Sequence, residues 1–268
     1  TKRGIKMAKK PIKKPVSEKK PEKIKVFIAT PMYGGMCSGV YTQSIIMMQA
    51  AFQTAGIEAC ISFMFNESLI TRARNALAHS FMQTDCTHLL FVDADIKWNG
   101  YDVLRMFDAD KDIICGVYPK KEVNWHTVSN AVKKDVPIEQ LKNHTGSWVV
   151  NLIDYKPDIT VPNDKPLEVW AAGTGMMLIK RKVFDKLKKK VPAYNNDVLD
   201  QAGTIGMQER ISEYFTTSIE PGTERLLSED YHFCRTWRLN GGKIYIAPWM
   251  DLGHMGSYLF EGTFLKVD

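Results

Sequence analysis

The feature that most constrains this chain is the run Leu89-Leu90-Phe91-Val92, followed at once by Asp93-Ala94-Asp95. Four consecutive apolar residues of strand type are buried on both faces in the middle of a covered sheet, the setting of parallel α/β sheets. Carboxylates that end such a strand lie at the carboxyl edge of the sheet, where open α/β sheets bind ligands. Read as continued strand, Asp93 and Asp95 project to one side and Ala94 to the other. Two carboxylates alone repel a diphosphate, so a phosphorylated ligand there requires a hard divalent cation, Mn2+ or Mg2+. The same pair also suits a plain turn after a strand, where Asp is common.

The surrounding pattern extends the sheet. Strand-type runs at 25–29, 57–63, 87–92 and 112–117 alternate with helical spacing at 41–55, 67–82 and 101–107, and Gly56 ends the first helix. This predicts an α/β fold: a Rossmann-like, mostly parallel sheet with helices on both faces. Residues 25–118 form its first half. The remainder, 119–268, reads as a smaller mixed-sheet half, with strands at 148–153, 169–179 and 243–247 and helices at 181–190 and 226–239. Together they make one catalytic domain, 25–268. The polar stretches 120–146 and 192–222 are long enough to be lids or insertions over a site.

A net charge of +6 suggests nucleic acid, but residues 1–25 hold eleven Lys/Arg against two acids, leaving 25 basic and 28 acidic residues in the rest. Residues 1–24, Lys/Pro-rich with little to bury, read as a disordered basic arm, either a solubilising tail or a loose hold on an anionic surface. No apolar stretch has the length of a membrane span, and no signal-peptide core follows the arm, so a cytoplasmic protein is expected. Five cysteines without C-x-x-C spacing read as reduced core thiols.

Other residues gain roles from their placement. The loop with Gly34, Gly35 and Gly39 matches neither G-x-G-x-x-G nor a phosphate loop, which disfavours dinucleotide and ATP sites. On the second helix, Leu69, Ala73, Leu77, Ser80 and Phe81 form a buried stripe, Arg72, Asn75 and His79 the opposite face, and Arg74 the margin. The planar fork of N–H groups on arginine suits a phosphate or a carboxylate, which makes Arg74 the first candidate for a ligand contact; Arg72 is the second, or a solvated surface residue. Ser228 suits an N-cap, and Glu229 a first helical turn. Asp230 shares a face with Phe233, Cys234 and Trp237, and a carboxylate so buried needs a partner or a purpose. Trp125, Trp148, Trp170 and Trp249 read mainly as core, with one or two free to stack on a sugar.

In order along the chain, Ala29-Thr30-Pro31, the stretch 69–77, residues 87–96, Ala172-Gly173-Thr174-Gly175-Met176 and Ser228-Glu229-Asp230 with Arg238 and Gly242 resemble the GT-A glycosyltransferase superfamily. The resemblance spans roughly residues 25–260. It implies a GT-A fold with 25–118 as the nucleotide-binding half and 119–268 as the acceptor-binding half, a nucleotide-diphosphate sugar donor such as a UDP- or GDP-sugar, and a carbohydrate or other hydroxyl acceptor. It sets Thr30 and Pro31 at the nucleotide base, although an ordinary strand-end proline reads the same way. It extends the donor site over Arg72, Arg74, Asn75, Asp93, Ala94, Gly173 and Gly175. It implies Asp230 as the general base of an inverting enzyme, with Glu229 in reserve. His254, between Gly253 and Gly256, would join Asp93 and Asp95 as a metal ligand, with Asp95 the more direct contact and Asp93 free to serve the ribose. A phosphatase of D-x-D-x-T type is disfavoured because Lys97 stands at the Thr position. Two other classes stay open. One is a nucleotidyltransferase, which would want a basic Gly-rich loop where residues 32–39 hold no Lys or Arg. The other is a non-catalytic nucleic-acid or carbohydrate binding module using the arm.

Overall fold

A computed structural model describes residues 23–153, 161–196 and 210–261. Most of the arm and part of the 192–222 stretch thus lie outside the described residues.

In chain order the first half forms β1 (Lys25–Met32), α1 (Gly39–Ala55), β2 (Glu58–Phe65), α2 (Ile70–Met82), β3 (His88–Val92), β4 (Ile96–Lys97), α3 (Gly100–Asp108) and β5 (Ile113–Cys115). Then come α4 (Trp125–Lys133), β6 (Val150–Leu152), β7 (Leu167–Ala172), β8 (Met176–Lys180), α5 (Arg181–Leu187), β9 (Ala193–Asn195) and β10 (Arg210–Ser212). The chain continues through β11 (Ser218–Ile219), β12 (Leu226–Leu227), α6 (Glu229–Leu239), β13 (Ile244–Ile246), β14 (Gly253–Met255) and β15 (Leu259–Glu261).

The main sheet has eight strands in the order β2-β1-β3-β8-β5-β13-β7-β6. β1 pairs in parallel with β2 and β3, and β13 with β5, whereas β8 and β7 run against their neighbours. Six strands therefore share one direction, the mostly parallel α/β sheet expected from the alternating pattern. β3 lies in its middle, and its residues divide strictly by face. Leu89 and Phe91 join a core with Phe81, Phe184, Phe215 and Phe233, while Leu90 and Val92 join Tyr41, Met48, Phe52 and Trp98 on the other side. Burial of each such side chain contributes about 1.5–3 kcal/mol, which fixes β3 and the residues that leave it.

Several expectations are revised. The apolar run 169–179 is two strands, because Gly173-Thr174-Gly175 turns the chain and sends β8 between β3 and β5. The stretch 120–146, read as a lid or insertion, folds as α4 and a 3-10 segment, Ile138–His144. The helix read at 226–239 begins at Glu229, after the short strand β12. Gly56 does end α1, in the left-handed conformation (φ 69°). Of the four tryptophans read as mainly core, Trp148 and Trp249 pack against the two cores, whereas Trp125 and Trp170 are largely exposed. Cys86, Cys115 and Cys234 are buried thiols, while Cys37 and Cys60 are exposed, and none of the five is paired.

Candidate functional site

The aspartates do not continue the strand. They form a tight turn between β3 and β4, closed by the Ile96 N–H donating to the Asp93 carbonyl at 3.1 Å. Both still face one cleft of about 600 Å3 at the carboxyl ends of β1 and β3, lined also by Pro31, Arg74, Glu229 and His254. Alternation is thus replaced by turn geometry, with the same convergence.

Arg74 organises one side of this cleft. It is 3% exposed on α2, and its Nη2 donates to both carboxylate oxygens of Asp93 at 3.0 and 3.3 Å. Its Nε donates to Glu229 Oε1 at 3.2 Å. Burial works against the guanidinium charge, but Asp93 and Glu229 outweigh it and raise its pKa above the ordinary value. The remaining nitrogen, Nη1, is buried and has no hydrogen-bond partner among the described residues. A buried charged donor left unmatched is costly unless a ligand meets it.

His254 and Asp95 form the other side. β14 pairs antiparallel with β4, His254 opposite Ile96, and the Met255 N–H donates to the Asp95 carbonyl at 2.7 Å. This register brings His254 Nε2 to 3.5 Å from Asp95 Oδ2. Nδ1 lies 2.9 Å from the Pro119 carbonyl, which can only accept, so Nδ1 carries the hydrogen. In the neutral ring, Nε2 then presents its lone pair to a carboxylate. Two acceptors so placed call for a shared cation, either a proton or a metal ion. Lys121 also donates to Asp95 Oδ2. Burial pushes the Asp95 carboxyl up, yet His254 and Lys121 outweigh it and hold it below the usual carboxylate value.

Asp93, Asp95 and His254 are not gathered as one trio, because the charge on Arg74 draws Asp93 away. Among the described residues no group of three His, Cys, Asp or Glu side chains stands ready to hold a metal by itself. A pair of protein ligands suits Mn2+ or Mg2+, which complete their shells with phosphate and water.

The two acids of α6 part at its first turn. Glu229 lines the cleft, whereas Asp230 sits between Glu229 and Tyr231. The Ser228 hydroxyl leaves the helix end uncapped and donates to Asp230 Oδ1, which also accepts from the Tyr231 N–H at 2.8 Å. Burial, reinforced by Glu229, raises the pKa of Asp230 above the ordinary carboxylate value. Cys115, Tyr118 and Cys234 feel its charge.

Other expected residues are placed elsewhere. Thr30 is buried, bonding to the Tyr41 hydroxyl at 2.7 Å, and only its neighbour Pro31 reaches the cleft. Arg72 turns to Glu67, at 2.6 and 2.9 Å. Asn75 is buried and clasps the Phe215 backbone through both amide atoms, each at 2.8 Å, because residues around β10 cover the α2 face read as open. Gly173 and Gly175 are buried beneath Tyr118. A Cβ on Gly175 would come within 2.6 Å of that ring, and one on Gly173 within 2.2 Å of its hydroxyl. Ala94 lies in the cleft as expected. Sequence reasoning missed Lys121, which nothing sets apart from Lys120, and Tyr118, whose only signal is its position just past the buried β5.

No family model and no curated protein matches the chain. Among solved structures, the A197 protein of STIV is similar at 15% identity, covering 89% of this chain and 94% of that one, with a TM-score of 0.47. The inositol-1-phosphate CTP transferase from T. maritima is similar at 10% identity, covering 84% of each chain, with a TM-score of 0.38. No helix among the described residues is long and apolar enough to cross a membrane.

Proposed function

We propose that this chain is a metal-dependent glycosyltransferase of GT-A type that moves a sugar from a UDP- or GDP-linked donor to a hydroxyl acceptor with inversion. The observation that carries this reading is the facing of Asp95 and His254 Nε2 at the carboxyl edge of a mostly parallel sheet, an arrangement that a divalent cation would satisfy. Asp95 and His254 would hold the Mn2+ or Mg2+, which neutralises charge on the departing diphosphate. Lys121 would have to release Asp95 for this, and its ammonium is then close enough to serve the phosphates. Arg74 Nη1, buried and unmatched, is the natural donor to a phosphate oxygen, and its pairing with Asp93 and Glu229 keeps it oriented. Pro31 and Ala94 would border the nucleoside, and Asp93 the ribose.

In the transfer step the acceptor hydroxyl oxygen bonds to the anomeric carbon as the bond from that carbon to the diphosphate breaks. The bonding pair leaves on the phosphate oxygen, and the hydroxyl proton passes to Asp230. Its raised pKa makes it a stronger base than an exposed carboxylate. Nucleotidyl transfer is the second reading. Against it, the loop between β1 and α1 brings Tyr33, Met36, Cys37 and Ser38 to the cleft and no cation to meet a triphosphate.

A thermal-shift panel of nucleotide-sugars, with and without Mn2+, tests the proposal. A true donor at about 100 times its Kd adds about 2.7 kcal/mol and raises the midpoint by roughly 5–10 °C, only when Mn2+ is present. Stabilisation by nucleoside triphosphates but by no nucleotide-sugar would favour nucleotidyl transfer.

A further inference from the structure

A second cleft, of about 980 Å3, opens along α6 beside β6 and β7 and the β11–β12 hairpin. We infer that it takes the acceptor, and that the acceptor is an anionic sugar, an inference that rests on the proposed glycosyl transfer. The start of α6 borders both clefts: Glu229 lines the first and Tyr231, two residues on, lines the second. Asp230, the carboxylate proposed as the base, stands between these two in the same helical turn.

The lining defines the ligand class. Arg225, Arg235 and Arg238 face this space; Arg235 Nε stands 3.7 Å from Glu220 and Arg238 Nη1 3.4 Å from Glu168, which leaves the exposed Arg225 with no carboxylate partner among the described residues. This unmatched guanidinium lies in a chain that is net acidic beyond its arm. Trp148, Trp170 and Tyr231 add flat faces of the kind on which sugar rings stack. Trp170 is 53% exposed although it stands on a strand of the main sheet. The Arg238 guanidinium holds it from one side, 4.1 Å over its ring, and is itself fixed by donation to the Val169 carbonyl at 3.0 Å. A rigid aromatic platform beside fixed guanidinium groups suits a sugar ring bearing a phosphate or carboxylate. A nucleic acid is the less favoured ligand, because the cleft has small-molecule size and, among the described residues, holds no lysine to follow a phosphate backbone.

Tryptophan fluorescence of the full chain, titrated with glucose 6-phosphate and with glucuronate, tests this. Glucose, inorganic phosphate and a single-stranded oligonucleotide serve as comparators. The expected result is a saturable change with both anionic sugars and binding at least about tenfold weaker for glucose and for phosphate, the worth of one charge-assisted hydrogen bond. Trp170→Ala and Arg225→Gln, both at exposed positions, should each weaken the anionic sugars about tenfold. Asp95→Ala should leave the titration unchanged. Equal binding of glucose, titrations indifferent to both variants, or tighter binding of the oligonucleotide would overturn the assignment. Loss of donor binding with this titration intact would refute the glycosyl-transfer reading and leave the anionic-sugar site standing.

Discussion

Arg74 carries more of the arrangement than any other single side chain, since one buried guanidinium holds Asp93 from β3 and Glu229 from α6. Its removal leaves two carboxylates with no counter-charge in a poorly solvated place. Arg74→Met should therefore cost about 3–5 kcal/mol of stability, read as a lower urea midpoint at unchanged slope, and Arg74→Lys distinctly less. A loss under about 1 kcal/mol for Arg74→Met would mean that the two acids find other partners and that the network is not structural. The sequence led to this residue by its chemistry, because an arginine near a phosphate-type site has few better uses, but placed it only at the margin of a helix. Its depth was not legible, since its second carboxylate partner, Glu229, stands 155 residues downstream, and no local period encodes that contact.

At the level of elements, the turn joining β7 to β8 decides where the central antiparallel strand enters the sheet. Gly175 lets the Tyr118 ring lie against this turn, donates its N–H to the Tyr118 hydroxyl at 3.1 Å, and offers its carbonyl to the Asp93 N–H at 3.0 Å. Gly175→Ala would set a Cβ 2.6 Å from the ring and should destabilise by about 1–3 kcal/mol in chemical denaturation. Tyr118→Leu in the same chain should recover part of that loss; strict additivity of the two changes would contradict the close-approach account. Long elements such as α1 and α2 were legible because their periods extend over many residues, and the five-residue β3 because its apolar run is uninterrupted. The Gly-Thr-Gly turn was read through as strand because its flanks are uniformly apolar. β4, β14 and β15, only two or three residues each, are too short to carry a period, yet their pairing is what sets His254 beside Asp95.

For the whole molecule, a mostly parallel sheet presents a carboxyl edge on which residues distant in sequence meet: Pro31 at the end of β1, Arg74 on α2, the turn after β3, Glu229 on α6 and His254 on β14. The alternating pattern of the first half made the sheet and its binding edge readable. The second half was less so, because its strands join the same sheet in an order unrelated to the chain. The central claim is that Asp95 and His254 hold a divalent cation on which donor binding depends. Calorimetry with the nucleotide-sugar found by thermal shift, in the presence and absence of Mn2+, tests this most directly. The account predicts metal-dependent binding in the native chain, about 10–100-fold weaker binding in His254→Gln, and none in Asp95→Ala. Undiminished, Mn2+-dependent donor binding by Asp95→Ala would contradict it.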